Sequence, residues 1–260
     1  MDCIKVEKQI VNWLQSYNGF VIGISGGVDS ALVSTLCAKT KKPVIVVSMP
    51  IHQPKSHLDR AHNHMNWLKR NFTNVTSFEV DLTETFEVWK KSIPFDAISD
   101  LALVNARSRL RMVTLYNFAN SYGYVVAGTG NKVEDFGVGF FTKYGDGGVD
   151  ISPIGDLLKT EVWDLSKHFD INKEIVEAKP TDGLWEDDRS DEDQIGATYP
   201  ELEWAMEYYE KYSYLPVKVY ERMFIELTDR QKEILTIYVK RHNNSFHKMN
   251  MPPICKLNKT

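Results

Sequence analysis

A chain of 260 residues, 43% of them hydrophobic, can bury a full core, and no apolar run approaches the length needed to span a bilayer. The formal net charge of −4 gives no general attraction for nucleic acid, so an anionic substrate has to be met by a local cluster of Lys and Arg. Cys3, Cys37 and Cys255 are odd in number and far apart, which indicates neither a disulfide framework nor a zinc site; without a basic-then-apolar leader, the expected location is the cytoplasm.

Residues 4 to 18 carry Ile10, Val11 and Leu14 at helical spacing, and Phe20 to Ile24 reads as the first strand. Gly23-Ile24-Ser25-Gly26-Gly27-Val28-Asp29-Ser30 follows, opening a helix with Leu32, Val33, Leu36 and Cys37 on one face. Gly26 and Gly27 leave backbone N–H groups open at a helix start, Ser25 and Ser30 add hydroxyls, and Asp29 is placed to anchor magnesium, so the stretch suits a polyphosphate. No Lys follows the glycines and their spacing is not GxGxxG, which excludes two better-known phosphate loops. The loop resembles the SGGxDS loop of the PP-loop ATP pyrophosphatases, which cleave ATP between its α and β phosphates.

Pro43 to Met49 is a continuous apolar run and reads as a buried parallel strand, whose end at Met49-Pro50 would lie beside the glycine loop, within reach of an adenine. Ser56 to Leu68 reads as a helix. His52, His57, His62 and His64 have no metal-ligand spacing and are expected on solvent-facing surfaces. Val75 to Val80 is the third strand, followed by a helix through Phe86, Val88 and Trp89. Asp96 to Tyr122 has Leu103, Ala106, Leu110 and Val113 as its buried face, with Asn105 and Arg109 one turn apart off that face and Arg107 and Arg111 as a second pair. Tyr124 to Gly128 reads as the fourth strand, and its exit at Thr129-Gly130-Asn131-Lys132-Val133-Glu134 is expected to face the first loop, bringing Glu134 and Asp29 to one magnesium. Tyr199 to Tyr212, Val217 to Leu227 and Arg230 to Arg241 read as helices. The acidic run Trp185 to Asp193 reads as a loop able to act as a lid, with Thr181 at its base.

Between these elements lies Gly139-Phe140-Phe141-Thr142-Lys143-Tyr144-Gly145-Asp146-Gly147-Gly148-Val149-Asp150. Together with Asn105 through Met112, Gly128-Thr129 and Glu134, it resembles NAD synthetase in order and spacing. The resemblance continues through Pro153 to Leu157, Lys159 and Thr160, Pro180 to Trp185, and Ser245-Phe246-His247-Lys248, and runs from about Gly23 to Pro253. It implies one domain over residues 1 to 260, a doubly wound parallel α/β sheet with flanking helices (adenine nucleotide alpha hydrolase-like, Rossmann-like) and C-terminal helices. It implies ATP-dependent amidation of deamido-NAD (nicotinic acid adenine dinucleotide) by ammonia through an acyl adenylate, with AMP and pyrophosphate released, and no protein nucleophile.

By resemblance, ATP falls to Gly23, Ile24, Ser25, Gly26, Gly27, Val28, Asp29, Ser30, Thr129, Lys159 and Thr181, and Mg2+ to Asp29 and Glu134. Deamido-NAD falls to Arg109, Lys143, Asp150, His247 and Lys248, and a homodimer is expected, with no nucleic acid or membrane partner. Two departures stand out. Thr129-Gly130-Asn131 replaces the Thr-Asp-His of some members, and Ser48 stands where members often carry Arg, which touches the adenine contacts near Met49. About 20 residues precede the first strand, too few for a glutaminase domain, so the expected nitrogen source is free ammonia. Other PP-loop enzymes fit less well: the GMP synthetase domain would lack the Phe140 to Asp150 segment, and tRNA-thiolating enzymes should show paired cysteines and a basic surface. A non-catalytic nucleotide sensor would have been favoured by loss of Asp29, Glu134 or Lys159, all of which are present.

Overall fold

The computed structural model describes residues 1–181, 190–215 and 223–257. Four parallel strands, β1 (Phe20–Gly23), β2 (Val44–Ser48), β3 (Val75–Glu79) and β4 (Val125–Val126), lie in the order β3-β2-β1-β4. Phe20 pairs with Val44 and with Val125, and Val44 with Val75. The chain winds outward from β1 through β2 to β3, then returns to the other side of β1. That reversal puts the crevice at the C-terminal ends of β1 and β4.

The apolar runs of β1 and β2 are buried on both faces, as parallel strands between helices must be. Phe20, Ile22, Val44 and Val46 pack with α1 (Cys3–Leu14), α2 (Val28–Lys39) and α3 (Lys55–Asn71), while Val21, Ile45 and Val47 pack toward α4 (Thr83–Lys91) and α5 (Asp100–Tyr122). The alternation follows from the two-residue period of a strand. Beyond the sheet come α6 (Lys159–His168), α7 (Lys173–Val176), α8 (Asp191–Ile195), α9 (Tyr199–Tyr212) and α10 (Asp229–Met249). A second core of Tyr199, Leu202, Met206, Ile234, Leu235 and Tyr238 joins α9 and α10 to Val133 and Val138.

Several elements differ from their sequence expectation. Helix α2 is buried all round rather than on one face, because α1, α3, α6 and the sheet enclose it. β4 has two residues, since the chain leaves the sheet at Ala127, where Ile151 takes over the edge pairing and its carbonyl accepts from the Gly128 N–H at 2.8 Å. Val113, expected in the buried face of α5, is 59% exposed, and Val104, Ser108 and Ala119 are the buried positions. His57 and His64 also turn inward, because α3 lays its 57-61-64-65-68 stripe toward α2 and the sheet. His64 lies 2.9 Å from Ser34 Oγ and stacks on Trp67, and burial drops its pKa to about 4. His52 and His62 are at the surface, paired with Glu87 and Glu79. Of the Val217–Leu227 helix only positions 223–227 are described, and of the Trp185–Asp193 run only 190–193, which are not loop: Ser190 caps α8 and Asp191 is buried as its first residue. Among the described residues, no helix is long and apolar enough to cross a membrane.

Leu36→Ala, which removes a fully buried side chain, should cost about 2–5 kcal/mol of unfolding free energy in denaturant titration. Val113→Ala should change it by less than about 0.5 kcal/mol. Equal losses would contradict the outward placement of Val113.

Candidate active site

The loop between β1 and α2 is shaped by Gly26, whose φ is +86° and at which a Cβ would fall 2.5 Å from the His57 carbonyl oxygen. Gly27 caps α2 without a side-chain hydrogen bond, so the helix start presents backbone N–H groups and positive dipole potential. The serine hydroxyls work within the loop. Ser25 Oγ accepts from the Gly27 N–H at 3.2 Å and lies 3.2 Å from Ser30 Oγ, which donates to the Gly27 carbonyl at 3.0 Å. Arg60 Nε donates to the Gly26 carbonyl at 3.2 Å, bringing a cation against the loop.

At the centre, Lys159, the first residue of α6 and only 2% exposed, joins the two strand exits. Its Nζ donates to Asp29 Oδ2 at 2.6 Å and to Glu134 Oε1 at 3.0 Å. Glu134 sits in a π-helical segment, Lys132–Val138, whose cap Asn131 accepts from the Glu134 N–H at 3.1 Å and donates to Asp29 Oδ1 at 3.1 Å. Tyr199, at the start of α9 and fully buried, donates to Glu134 Oε1.

Burial would raise every acid here and lower the lysine. For Asp29 burial prevails over the attraction of Lys159, and its pKa is raised. For Glu134, burial is outweighed by Lys159 together with the Tyr199 and Asn131 hydrogen bonds, and its pKa is lowered. For Lys159 the two carboxylates outweigh burial and hold the ammonium protonated. Asp135, next in the π-helical segment, is raised well above the usual carboxylate range by burial and by Asp146, Glu134 and Asp29 nearby.

These groups line one side of a cavity of about 590 Å³. α5 and the loop after the π-helical segment line it as well: Thr142 Oγ1 donates to Asn105 Oδ1 at 2.7 Å, and Ser108 Oγ donates to Asp146 Oδ1 at 2.6 Å. Arg111 reaches the end of β2, with Nε donating to the Met49 carbonyl at 2.9 Å and a terminal nitrogen donating to Gln53 Oε1 at 2.8 Å. It has no carboxylate within ion-pair distance among the described residues, and burial, with Arg107 nearby, lowers it to about 10.

All the ATP positions read from the sequence, including Thr129 and Thr181, line this cavity, and Asp29, Glu134 and Lys159 converge in it. The five dinucleotide positions divide. Lys248 lines the cavity, its Nζ donating to the Gly139 and Phe141 carbonyls. Arg109, Lys143 and His247 form a chain on the outside instead: Arg109 Nε donates to the Lys143 carbonyl at 3.3 Å, and Lys143 Nζ donates to the His247 carbonyl. Asp150 binds the sheet edge, accepting from the Val126 N–H at 2.8 Å and from Tyr116 Oη at 3.0 Å. Arg60, Arg111, Asp135 and Tyr199 were not singled out for the site in the sequence. In the sequence Arg111 is the helix partner of Arg107 and a member of the 105–112 stretch with no role of its own, and Tyr199 lies 65 positions from Glu134, beyond any local pattern.

A glycine loop at a helix start, a switch-point crevice and an acidic pair around a buried lysine define an adenine-nucleotide-binding α/β protein of the PP-loop type. The NAD synthase family model matches residues 3–252, and the chain belongs to that family. The NH(3)-dependent NAD(+) synthetase of Methanococcoides burtonii is 37% identical, covering 99% of this chain and 97% of that protein. The protein of the same name from Carboxydothermus hydrogenoformans is 38% identical, covering 76% of this chain and 83% of that protein. Among solved structures, NMN synthetase from Francisella tularensis superposes with a TM-score of 0.83 at 28% identity, covering 99% of this chain and 100% of that one.

Gly26→Ala should weaken ATP binding at least about tenfold in calorimetry, because the left-handed backbone and the His57 carbonyl leave no room for a methyl group. Unchanged affinity would remove the loop from the nucleotide site.

Proposed function

We propose that the protein amidates deamido-NAD with ammonia, using ATP and releasing AMP and pyrophosphate. The observation that carries this reading is the convergence of Asp29, Glu134 and Lys159 beside the Gly23–Ser30 loop, in one cavity with Lys248. A carboxylate is a poor acyl donor because oxide is a poor leaving group. In the first step its oxygen bonds to the α-phosphorus of ATP as the bond to pyrophosphate breaks. In the second, the ammonia lone pair attacks the acyl carbon, AMP leaves with the bonding electrons of the acyl oxygen, and the surplus proton passes to solvent.

Asp29 and Glu134 offer hard oxygen donors within 3.0 Å of one nitrogen, a donor set that fits Mg2+ better than a softer metal. Asp29 and Glu134 would hold the ion, and it would supply charge neutralisation for the leaving pyrophosphate. The chain's own part is electrostatic: the α2 amides orient the phosphates and Lys159 counters their growing charge. No protein nucleophile is needed. Cys37 is buried and its thiol is pushed far up by burial, which leaves it unreactive.

The chain is read as one catalytic unit acting in the cytoplasm as a homodimer. Arg109, Lys143 and His247 lie on an outer face beside the exposed Val113, Tyr144 and Phe246, a surface suited to meeting the far half of a dinucleotide at a subunit boundary. A second reading, amidation of the mononucleotide acid, is favoured by the likeness to the Francisella NMN synthetase and by the placement of those three residues and Asp150 away from the cavity.

The test is mass detection of product from ATP, magnesium and ammonium with either nicotinic acid adenine dinucleotide or nicotinic acid mononucleotide. A higher kcat/KM for the dinucleotide supports the first reading, a higher value for the mononucleotide the second, and no amide from either refutes both. Asp29→Asn and Glu134→Gln should each lower magnesium-dependent turnover at least about tenfold. At limiting ammonium, the rate should rise with pH through the neutral range, because only the deprotonated amine attacks; glutamine in place of ammonium should yield no product.

A further inference from the structure

The hydrogen bonds around the paired carboxylates are unequally shared. Both oxygens of Asp29 are engaged, Oδ1 by Asn131 at 3.1 Å and Oδ2 by Lys159 at 2.6 Å. On Glu134, by contrast, two donors share one atom, since Lys159 and the Tyr199 hydroxyl converge on Oε1. The Asn131 side chain, which also donates to Asp29 Oδ1, is the further polar group that favours the ionised Glu134 carboxylate. A carboxylate gripped from two directions on one oxygen has its plane fixed, and its other oxygen is aimed rather than free to rotate.

Tyr199 is placed to do this and little else. It is fully buried and does not line the cavity, its ring is packed edge-on by Trp163, and the Lys159 ammonium lies 4.9 Å above the ring centroid. Its hydroxyl has two acceptors in reach, Glu134 Oε1 and, at 3.2 Å, Asp191 Oδ2. One hydroxyl carries one proton, and the closer contact is to Glu134. The phenol is therefore spent on a residue of the acidic pair, although α9 begins 65 positions later in the chain.

We propose that Tyr199 is a positioning residue for the divalent cation: by holding Glu134 Oε1 together with Lys159, it presents Oε2 as the metal-facing oxygen. The proposal rests on the reading of Asp29 and Glu134 as the metal carboxylates. Outer-shell partners of metal-binding carboxylates typically contribute about 10-fold or more in metal affinity.

The test uses the full-length protein with the α,β-methylene analogue of ATP, which cannot be cleaved at the reacting bond, and Mn2+ as the probe. Free Mn2+ is read by electron paramagnetic resonance. Tyr199→Phe keeps the buried ring and removes only the hydroxyl. It should weaken Mn2+ binding about tenfold and raise the half-saturating Mg2+ concentration in turnover similarly, with kcat at saturating metal and metal-free analogue affinity little changed. Replacement of Tyr199 by 4-aminophenylalanine, which restores a donor on the same ring, should recover most of the affinity; this also separates hydrogen bonding from damage to the fold. Wild-type Mn2+ affinity in Tyr199→Phe, or a loss that the amino analogue does not recover, overturns the proposal. Glu134→Gln is the control for the underlying reading. If it binds Mn2+ as tightly as wild type, the metal assignment itself fails; if it loses affinity while Tyr199→Phe does not, only the role of Tyr199 fails.

Discussion

Everything in the site turns on a buried ammonium held by two carboxylates. Lys159 is 2% exposed, and such a charge survives burial only with close opposite charge and full hydrogen bonding. Asp29 and Glu134 provide both, and in doing so they fix the relative placement of three segments: the start of α2, the exit of β4 and the start of α6. With both acids ionised, the trio carries one surplus negative charge. That makes the centre a place for a further cation, while the adjacent α2 amides make the loop a place for anions. A metal-bound polyphosphate satisfies both at once.

The backbone supplies what side chains cannot. Gly26 lets the loop turn into a conformation closed to other residues and brings it against the His57 carbonyl of α3, so the loop and α3 are built to a common surface. The inward turn of His57 and His64 belongs to the same packing: α3 covers one side of α2, and the buried Ser34–His64 contact joins the two helices through a hydroxyl that also reaches the Ser30 carbonyl at 2.7 Å. The loop is thus anchored by ordinary core packing. That packing fixes the direction of the loop amides, which is the condition the proposed phosphate role requires for electrostatic stabilisation without reorganisation.

The residues proposed for the second substrate are less enclosed. Within one chain the cavity includes Lys248, Asn105 and Arg111, whereas Arg109, Lys143 and His247 are linked to each other on an outer surface. Lys143 and Lys248 both donate to backbone carbonyls, tying the end of α10 to the loop after the π-helical segment. Their ammonium groups therefore act first on this chain's own architecture. Asp150 does the same at the sheet edge, where its carboxylate accepts from the Val126 N–H just before Ile151 takes up the edge pairing at Ala127.

Local chemistry made much of this protein legible in its sequence. The strands β1 to β3, the glycine loop and the helix start after it follow from apolar runs, left-handed glycine and open amides, all of which operate within a few residues. The meeting of Asp29 with Glu134 was also readable, because parallel winding fixes which loops share the crevice. What sequence could not supply was any contact decided by packing between distant segments. Val113 faces out and His64 faces in because of what lies against α5 and α3, not because of their own spacing. Arg111 turns into the cavity because the Met49 carbonyl and Gln53 are there to receive it. Tyr199 reaches Glu134 only because α9 folds back on the π-helical segment, and a hydrogen bond between residues 65 positions apart leaves no periodicity to read. The sequence by itself determined the fold class, the glycine loop at the helix start and the acidic pair, since these rest on short-range backbone constraints and parallel winding; the tertiary structure alone decided which oxygens are held, which arginine enters the cavity and which surface is left outside, since these rest on close packing among elements far apart in the chain.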